Sequence, residues 1–245
     1  MTCRRPPDAL LDIRGPEDFA AAFGVTPATL ERFATYERLL RQWQNAINLV
    51  APSTLDAIWQ RHFADCAQAL PLAPEARAWL DLGSGAGFPG LVIAILLAEV
   101  ADPAQVPSPR LRGEGQGEGQ HQAPRVTLVE SDQRKCAFLR EVARQTGISV
   151  DILSTRAESL ATQANLAAPD VVTARALAPL DRLFGLAACV SPPSTVGLYF
   201  KGREAAKEIE AAGKTWEFDA ELVPSRTDAH GRILLVRHLQ RKAKD

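Results

Sequence analysis

Asp81-Leu82-Gly83-Ser84-Gly85-Ala86-Gly87-Phe88-Pro89-Gly90 puts one carboxylate and four glycines into ten consecutive positions. Glycine lacks a Cβ, so such a loop reaches positive φ and leaves bare backbone against which a ligand can lie. Two patterns overlap in it. Gly85, Gly87 and Gly90 fit the Gly-x-Gly-x-x-Gly of dinucleotide binding, while Asp81, Gly83, Gly85 and Gly87 fit the Asp-x-Gly-x-Gly-x-Gly of S-adenosylmethionine (SAM) enzymes. The glycines alone do not choose between hydride transfer and methyl transfer. A second acid, Glu130, ends the run Arg125-Val-Thr-Leu-Val-Glu. In nucleotide folds a carboxylate roughly 20 residues beyond the glycines takes the ribose hydroxyls. Glu130 is too distant in raw sequence, but setting aside residues 102–124 brings it to about that separation, which serves both readings equally.

These residues act together only if strands and helices bring them to one edge. Residues 79–82 are a short apolar run that suits a buried parallel strand, and residues 91–98 have the length and composition of a helix. The glycines therefore form the turn at the C-terminal edge of a strand, where open α/β sheets bind nucleotides, with the next helix aiming its free N–H groups at the ligand. The alternation continues with strands at 125–130, 149–153, 170–174 and 195–201 and helices at 134–145, 180–189 and 204–212. Two further strands, 216–223 and 232–239, flank the turn residues Pro224, Ser225, Asp228 and Gly231. About seven strands are predicted, mostly parallel, with the last pair antiparallel. A dinucleotide dehydrogenase typically needs a further catalytic domain, and the sheet runs to the end of the chain, which favours SAM.

Upstream, residues 16–70 read as helices. Thr26 is an N-cap before Pro27 at the first helical position, and Leu30, Phe33, Leu40, Trp43 and Ile47 recur at helical spacing. Pro52, Ser53 and Thr54 interrupt the pattern. Leu55, Ile58, Trp59, Phe63 and Ala67 mark another helix, which carries Arg61, His62 and Asp65. By itself His62 reads as a surface or structural histidine. The predicted organisation is an N-terminal helical extension, 1–74, packing on a domain, 75–245. Residues 102–124, rich in Gly, Pro and Gln and nearly free of apolar side chains, read as a flexible insertion at the sheet edge opposite the ligand.

Composition excludes several classes. Apolar residues make up 46% of the 245 positions, enough for a packed core. The longest apolar run, 91–98, is far short of the roughly 20 residues that a bilayer span requires. The N-terminus has no apolar segment of the kind a secretory signal needs. Cys3, Cys66, Cys136 and Cys189 are scattered, so reduced thiols, a cytoplasmic location and no metal site are expected. A net charge of -1 gives no global footprint for nucleic acid, although a local face for a structured RNA stays open.

The motifs taken together resemble the ribosomal RNA small subunit methyltransferase G family, also called glucose-inhibited division protein B. The resemblance covers nearly the whole chain outside the insertion and the extreme N-terminus. It rests on Asn48-Leu49, Arg61-His62-x-x-Asp65, the glycine pattern continued by Phe88-Pro89-Gly90, and Arg134-Lys135 followed by Phe138-Leu139. Arg156-Ala157-Glu158, Arg175-Ala176 and Lys201-Gly202 complete it. Gln44, Val50 and Cys66 depart from residues common in the family, and the insertion has no counterpart there.

The resemblance implies a Rossmann-like, class I SAM-dependent methyltransferase fold and transfer of a methyl group to N7 of a guanine in 16S ribosomal RNA. Guanine N7 has a free lone pair and no proton to lose, so no general base is expected and the enzyme's task is positioning. Carried over position by position, Gly83, Gly85 and Phe88 line the SAM loop, Ala157 and Glu158 border the adenine, and Arg175 lies beside the cofactor. Glu130 is assigned to the ribose from its own placement. Arg175 and Lys201 orient base or phosphate, and Arg61 and His62 are further RNA candidates. The expected partner is 16S rRNA or the small ribosomal subunit, met by a monomer. An NAD-dependent oxidoreductase and a non-catalytic RNA-binding assembly factor are the competing readings.

Overall fold

The computed structural model describes residues 2–3, 10–100, 123–162 and 166–243. Its centre is one sheet of eight strands: β1 (Thr2–Cys3), β2 (Ala78–Leu82), β3 (Arg125–Glu130), β4 (Asp151–Ser154), β5 (Val171–Arg175), β6 (Val196–Lys201), β7 (Trp216–Pro224) and β8 (Arg232–Arg241). The order across the sheet is β1-β7-β8-β6-β5-β2-β3-β4. Strands β2 to β6 pair in parallel, and β8 runs antiparallel to both its neighbours, β6 and β7. The seven longer strands match the sequence expectation to within about two residues at each end. The eighth, a two-residue strand beside β7, has no signal in the sequence.

Successive strand residues alternate between two apolar clusters, as the two-residue period of a pleated strand requires. Trp79 packs on one face with helices α1 (Pro16–Phe23), α2 (Pro27–Gln44), α4 (Gly90–Val100) and α5 (Gln133–Thr146). Leu80 and Leu82 pack on the other face with α6 (Leu180–Ala188) and α7 (Ala205–Ala212). The first cluster crosses the 74/75 boundary: Phe33, Tyr36, Phe63, Leu91 and Phe138 are all fully buried in it. Apart from residues 123 and 124, the segment 102–124 lies outside the described residues.

The helical stretch after α2 departs from expectation. Thr26 caps α2 as expected, accepting from the Thr29 N–H at 3.3 Å. In place of a second regular helix there is a 3-10 turn at Pro52–Thr54, then a π-helical turn at Trp59–Ala64 that runs directly into the short α3 (Asp65–Ala67). Apolar spacing does not distinguish a π turn from an α turn over so few residues. Single π turns inside helices recur at functional sites.

Candidate active site

The glycine loop joins β2 to α4, and Gly83, Gly85 and Gly87 take φ of 68°, 57° and 95°. Behind it lies Asp81, buried, whose Oδ1 accepts from the Thr173 hydroxyl at 2.8 Å and whose Oδ2 accepts from the Gly90 N–H at 3.2 Å. Burial pushes its carboxyl up to about 6. A Cβ at position 90 would lie 2.8 Å from that Oδ2, so glycine is what lets the aspartate reach the start of α4. The free helix end expected from the sequence is thus partly spent. Gly90 donates to Asp81, and the Leu91 N–H donates to the Gly87 carbonyl at 2.8 Å. Ligand contact is left mainly to the loop.

The N-terminal helices grip this loop. Tyr36 of α2 donates its hydroxyl to the Ala86 carbonyl and stacks on Phe88 at 5.4 Å. His62 also stacks on Phe88, at 4.7 Å. Gln44 closes the following turn: its Oε1 accepts from the Leu49 and Val50 N–H groups, both at 3.0 Å, and its Nε2 donates to the Val50 carbonyl at 2.9 Å.

A cavity of about 570 Å³ opens beside the loop, lined by Gly83 to Ala86, Phe88, Glu130, Ala157, Glu158, Arg175, His62 and Leu49 to Ala51. Glu130 stands at the end of β3, with Oε2 accepting from the Gly85 N–H at 2.9 Å and Oε1 from the Asp132 N–H at 2.8 Å. Each oxygen keeps a lone pair for a further donor. Glu158 is paired with Arg182 at 2.7 Å, a hydrogen bond that holds its carboxyl below the usual carboxylate range.

A second cleft, about 640 Å³, adjoins the first, and residues 175–178 line both. Strand alternation explains what fills it. Arg175 follows Thr173 and Val171, which face the N-terminal helices, so its guanidinium turns that way. Nη2 donates to the Arg61 carbonyl at 2.7 Å, Nη1 meets His62 Nδ1 at 3.0 Å, and Nε lies 3.6 Å from Asp65 Oδ2. Lys201, next to Tyr199 of the other face, turns toward α7. Its Nζ pairs with Glu208 at 2.7 Å and donates to the Ala178 carbonyl at 3.1 Å. Arg61 reaches Asp228 at 2.8 Å across the mouth.

His62 is buried, and its ring is fully engaged. Arginine can only donate, so Nδ1 accepts from Arg175 and the Nε2–H donates to Thr54 Oγ1 at 2.8 Å. Burial, with the charges of Arg175 and Arg61 adding to it, pushes the imidazole down to about 3, which keeps it neutral.

The sequence-predicted residues therefore divide in two. Gly83, Gly85, Phe88, Glu130, Ala157 and Glu158 line the first cavity, Arg61 and Lys201 the second, and Arg175 both. His62, expected to face RNA, lies on the first cavity with neither ring nitrogen spare. Sequence reasoning gave no role to Asp65, Glu208, Tyr36 or Gln44. Asp65 was visible four residues after Arg61, whereas Glu208 carried no signal. Among the described residues no group of three or more His, Cys, Asp or Glu side chains could hold a metal ion, and no helix is long and apolar enough to cross a membrane.

The family model for rRNA small subunit methyltransferase G matches residues 29–103 and 120–238. The ribosomal RNA small subunit methyltransferase G of Parvibaculum lavamentivorans is 49% identical over 224 residues, covering 91% of this chain and 89% of the relative. Among solved structures, a methyltransferase from Geobacter sulfurreducens aligns with a TM-score of 0.53 at 13% identity, covering 94% of this chain and 99% of that one. An O-methyltransferase from Bacillus cereus in complex with SAH aligns at 0.52 and 15% identity, covering 83% and 90%. At such identities the likeness is one of fold: the sheet is that of class I SAM-dependent methyltransferases.

Proposed function

The chain belongs to the rRNA small subunit methyltransferase G family, and from that premise we propose that it transfers a methyl group from SAM to N7 of a guanine in 16S rRNA. The observation that carries this reading is the pair of adjoining cavities at the strand ends, one beside the glycine loop and one beside Lys201, with Arg175 in their common wall. A donor held in one and a base held in the other would meet there.

The first cavity suits SAM. Bare backbone at Gly83 and Gly85 would take the amino-acid end, the spare lone pairs of Glu130 the ribose hydroxyls, and Ala157 with Glu158 the adenine. When bound, SAM supplies an electrophilic sulfonium methyl. The protein's own residues then have a positioning task, because guanine N7 presents its lone pair without losing a proton. The titratable groups around the wall agree with that. His62 is held neutral with both nitrogens bonded, and Glu158 is committed to Arg182. Arg175 and Lys201 bring fixed positive charge to orient base or phosphate, and Arg61 extends that charge to the mouth of the second cleft. Residues 1–74 act as an extension that completes both cavities, and the protein works as a monomer in the cytoplasm.

The test is incubation of the protein with radiolabelled SAM and small ribosomal subunits, followed by mapping of the labelled nucleotide. Label in 16S rRNA as N7-methylguanosine is the expected result, at a rate flat between pH 6 and pH 8. Binding of NAD in preference to SAM would return the oxidoreductase reading, and SAM binding without transfer would return the assembly-factor reading.

A further inference from the structure

Residues 61–66 supply the hydrogen-bond and ion-pair partners of the Arg175 guanidinium, and the Phe88 ring, its centroid 5.8 Å from Cζ, lies under it from outside that stretch. The carbonyl of Arg61, Nδ1 of His62 and the carboxylate of Asp65 come from one π turn and the residue after it, at 2.7, 3.0 and 3.6 Å, with the Cys66 thiol completing the set at 3.7 Å. Three different guanidinium nitrogens are engaged, so the plane of the group is set as well as its place. Asp65 is in turn fixed from outside the turn. Its Oδ1 accepts from the Ser225 and Thr227 hydroxyls at 3.3 and 3.0 Å, which leaves Oδ2 aimed at Arg175. His62 is fixed by its Nε2 bond to Thr54 and its stacking on Phe88.

We propose that Asp65 and His62 are positioning residues for Arg175, together holding its guanidinium in the wall between the two cavities. The proposal rests on the methyl-transfer reading above. Its physical content is that an arginine with long, rotatable torsions loses its entropy on folding, before substrate arrives, so that little remains to be lost when the reacting groups meet. At His62 the acceptor is what matters, whereas at Asp65 it is the negative charge facing Nε of Arg175. His62 contributes a neutral Nδ1 lone pair, and any side chain that presents an acceptor at that point should serve.

That distinction gives a test a merely structural role would not pass. Asparagine carries its carbonyl oxygen near the place of Nδ1, whereas glutamine reaches the place of Nε2. Single-turnover methyl transfer to small ribosomal subunits at saturating SAM should fall at least about tenfold in His62→Gln and recover to within about threefold of wild type in His62→Asn. Asp65→Asn should lower the rate about tenfold or more alone, and by no more than about twofold when added to Arg175→Ala, since residues that act as a unit are non-additive. SAM affinity and melting temperature, measured on every variant, show that each still folds. Equal rates in His62→Asn and His62→Gln, or a full tenfold further loss when Asp65→Asn is placed on Arg175→Ala, would overturn the proposal. A wild-type protein that binds SAM and transfers no methyl group would overturn the activity reading beneath it, and the proposal with it.

Discussion

The two cavities are built by different means. The first is made from backbone: glycines at positive φ, a carboxylate accepting main-chain N–H groups, and aromatic rings packed behind. The second is made from long charged side chains, of which Lys201 pairs with nearby Glu208 and the two arginines with partners far away in sequence. Arg61 pairs with Asp228 across 167 positions and Arg175 with Asp65 across about half the chain's length. A backbone site tolerates almost nothing at its few defining positions. A side-chain site spreads its dependence over many residues, so each loss should be smaller and felt first in orientation.

The largest effect that would sharpen this contrast is expected from Gly83→Asp. The new side chain would stand at φ 68°, with its Cβ 2.5 Å from Leu177 Cδ1, and would put a carboxylate where the loop offers bare backbone. SAM affinity should drop on the order of a hundredfold, about 3 kcal/mol, as read by calorimetric titration, with the circular dichroism of the wild type retained. Near-normal affinity would dissolve the distinction, because the backbone would then not be the site.

Next comes Lys201→Ala. It strips the half-buried Glu208 of its cation and should cost roughly 2 kcal/mol in urea unfolding, below the 3–5 kcal/mol of a fully buried pair because Glu208 keeps 28% of its side chain exposed. SAM affinity should be unchanged. A loss of SAM binding equal to that of Gly83→Asp would mean that the two cavities are one site.

The smallest effect lies in pH dependence. His62 is held at about 3 in the folded chain against an unfolded value near 6.5, so the unfolded state takes up a proton first. Its contribution to stability is therefore whole above pH 6.5 and erodes as pH falls from there toward 3. His62→Gln removes that group, and the stability difference between wild type and variant should shrink on acidification through this window. Asp81, raised to about 6 by burial, acts in the opposite sense in both proteins and cancels from the difference. A difference constant from pH 7 to pH 4 would show that the ring is not buried as described.

The same contrast explains what the sequence disclosed. The strand, turn and helix around Asp81 are local, so residue types within ten positions identified the loop, and Glu130 followed once the spacing was read without residues 102–124. The N-cap at Thr26 and the parallel alternation were equally local. Partners of Arg61 and Arg175 in the second cavity are not local, and even the near pair of Lys201 and Glu208 was hidden. Nothing around Lys201 points to Glu208, because the pair depends on which face of β6 position 201 occupies and where α7 then lies. His62, which by itself reads as a surface or structural histidine, is buried with both ring nitrogens bonded, but its partner Arg175 stands 113 positions away, where no local spacing points. Gln44 looked like a departure from family habit, yet its amide makes the three hydrogen bonds that close the turn at Leu49 and Val50.

The order of strands also has a consequence for how the chain is made. Strand β7 is synthesised before β8 but does not touch β6; β8 lies between them and bonds to both. Until the last strand emerges from the ribosome, β7 can pair only with the two residues of β1, and the Ser225 to Asp228 segment that anchors Asp65 and Arg61 has no sheet behind it on one side. A nascent chain that has been made through Leu186 has the parts of its first cavity, whereas the second waits for Arg232. The final strand is the keystone. Premature termination there would release a chain with a nearly complete cofactor side and two loose strands, a species exposed to aggregation and to proteolysis rather than a slightly shortened enzyme.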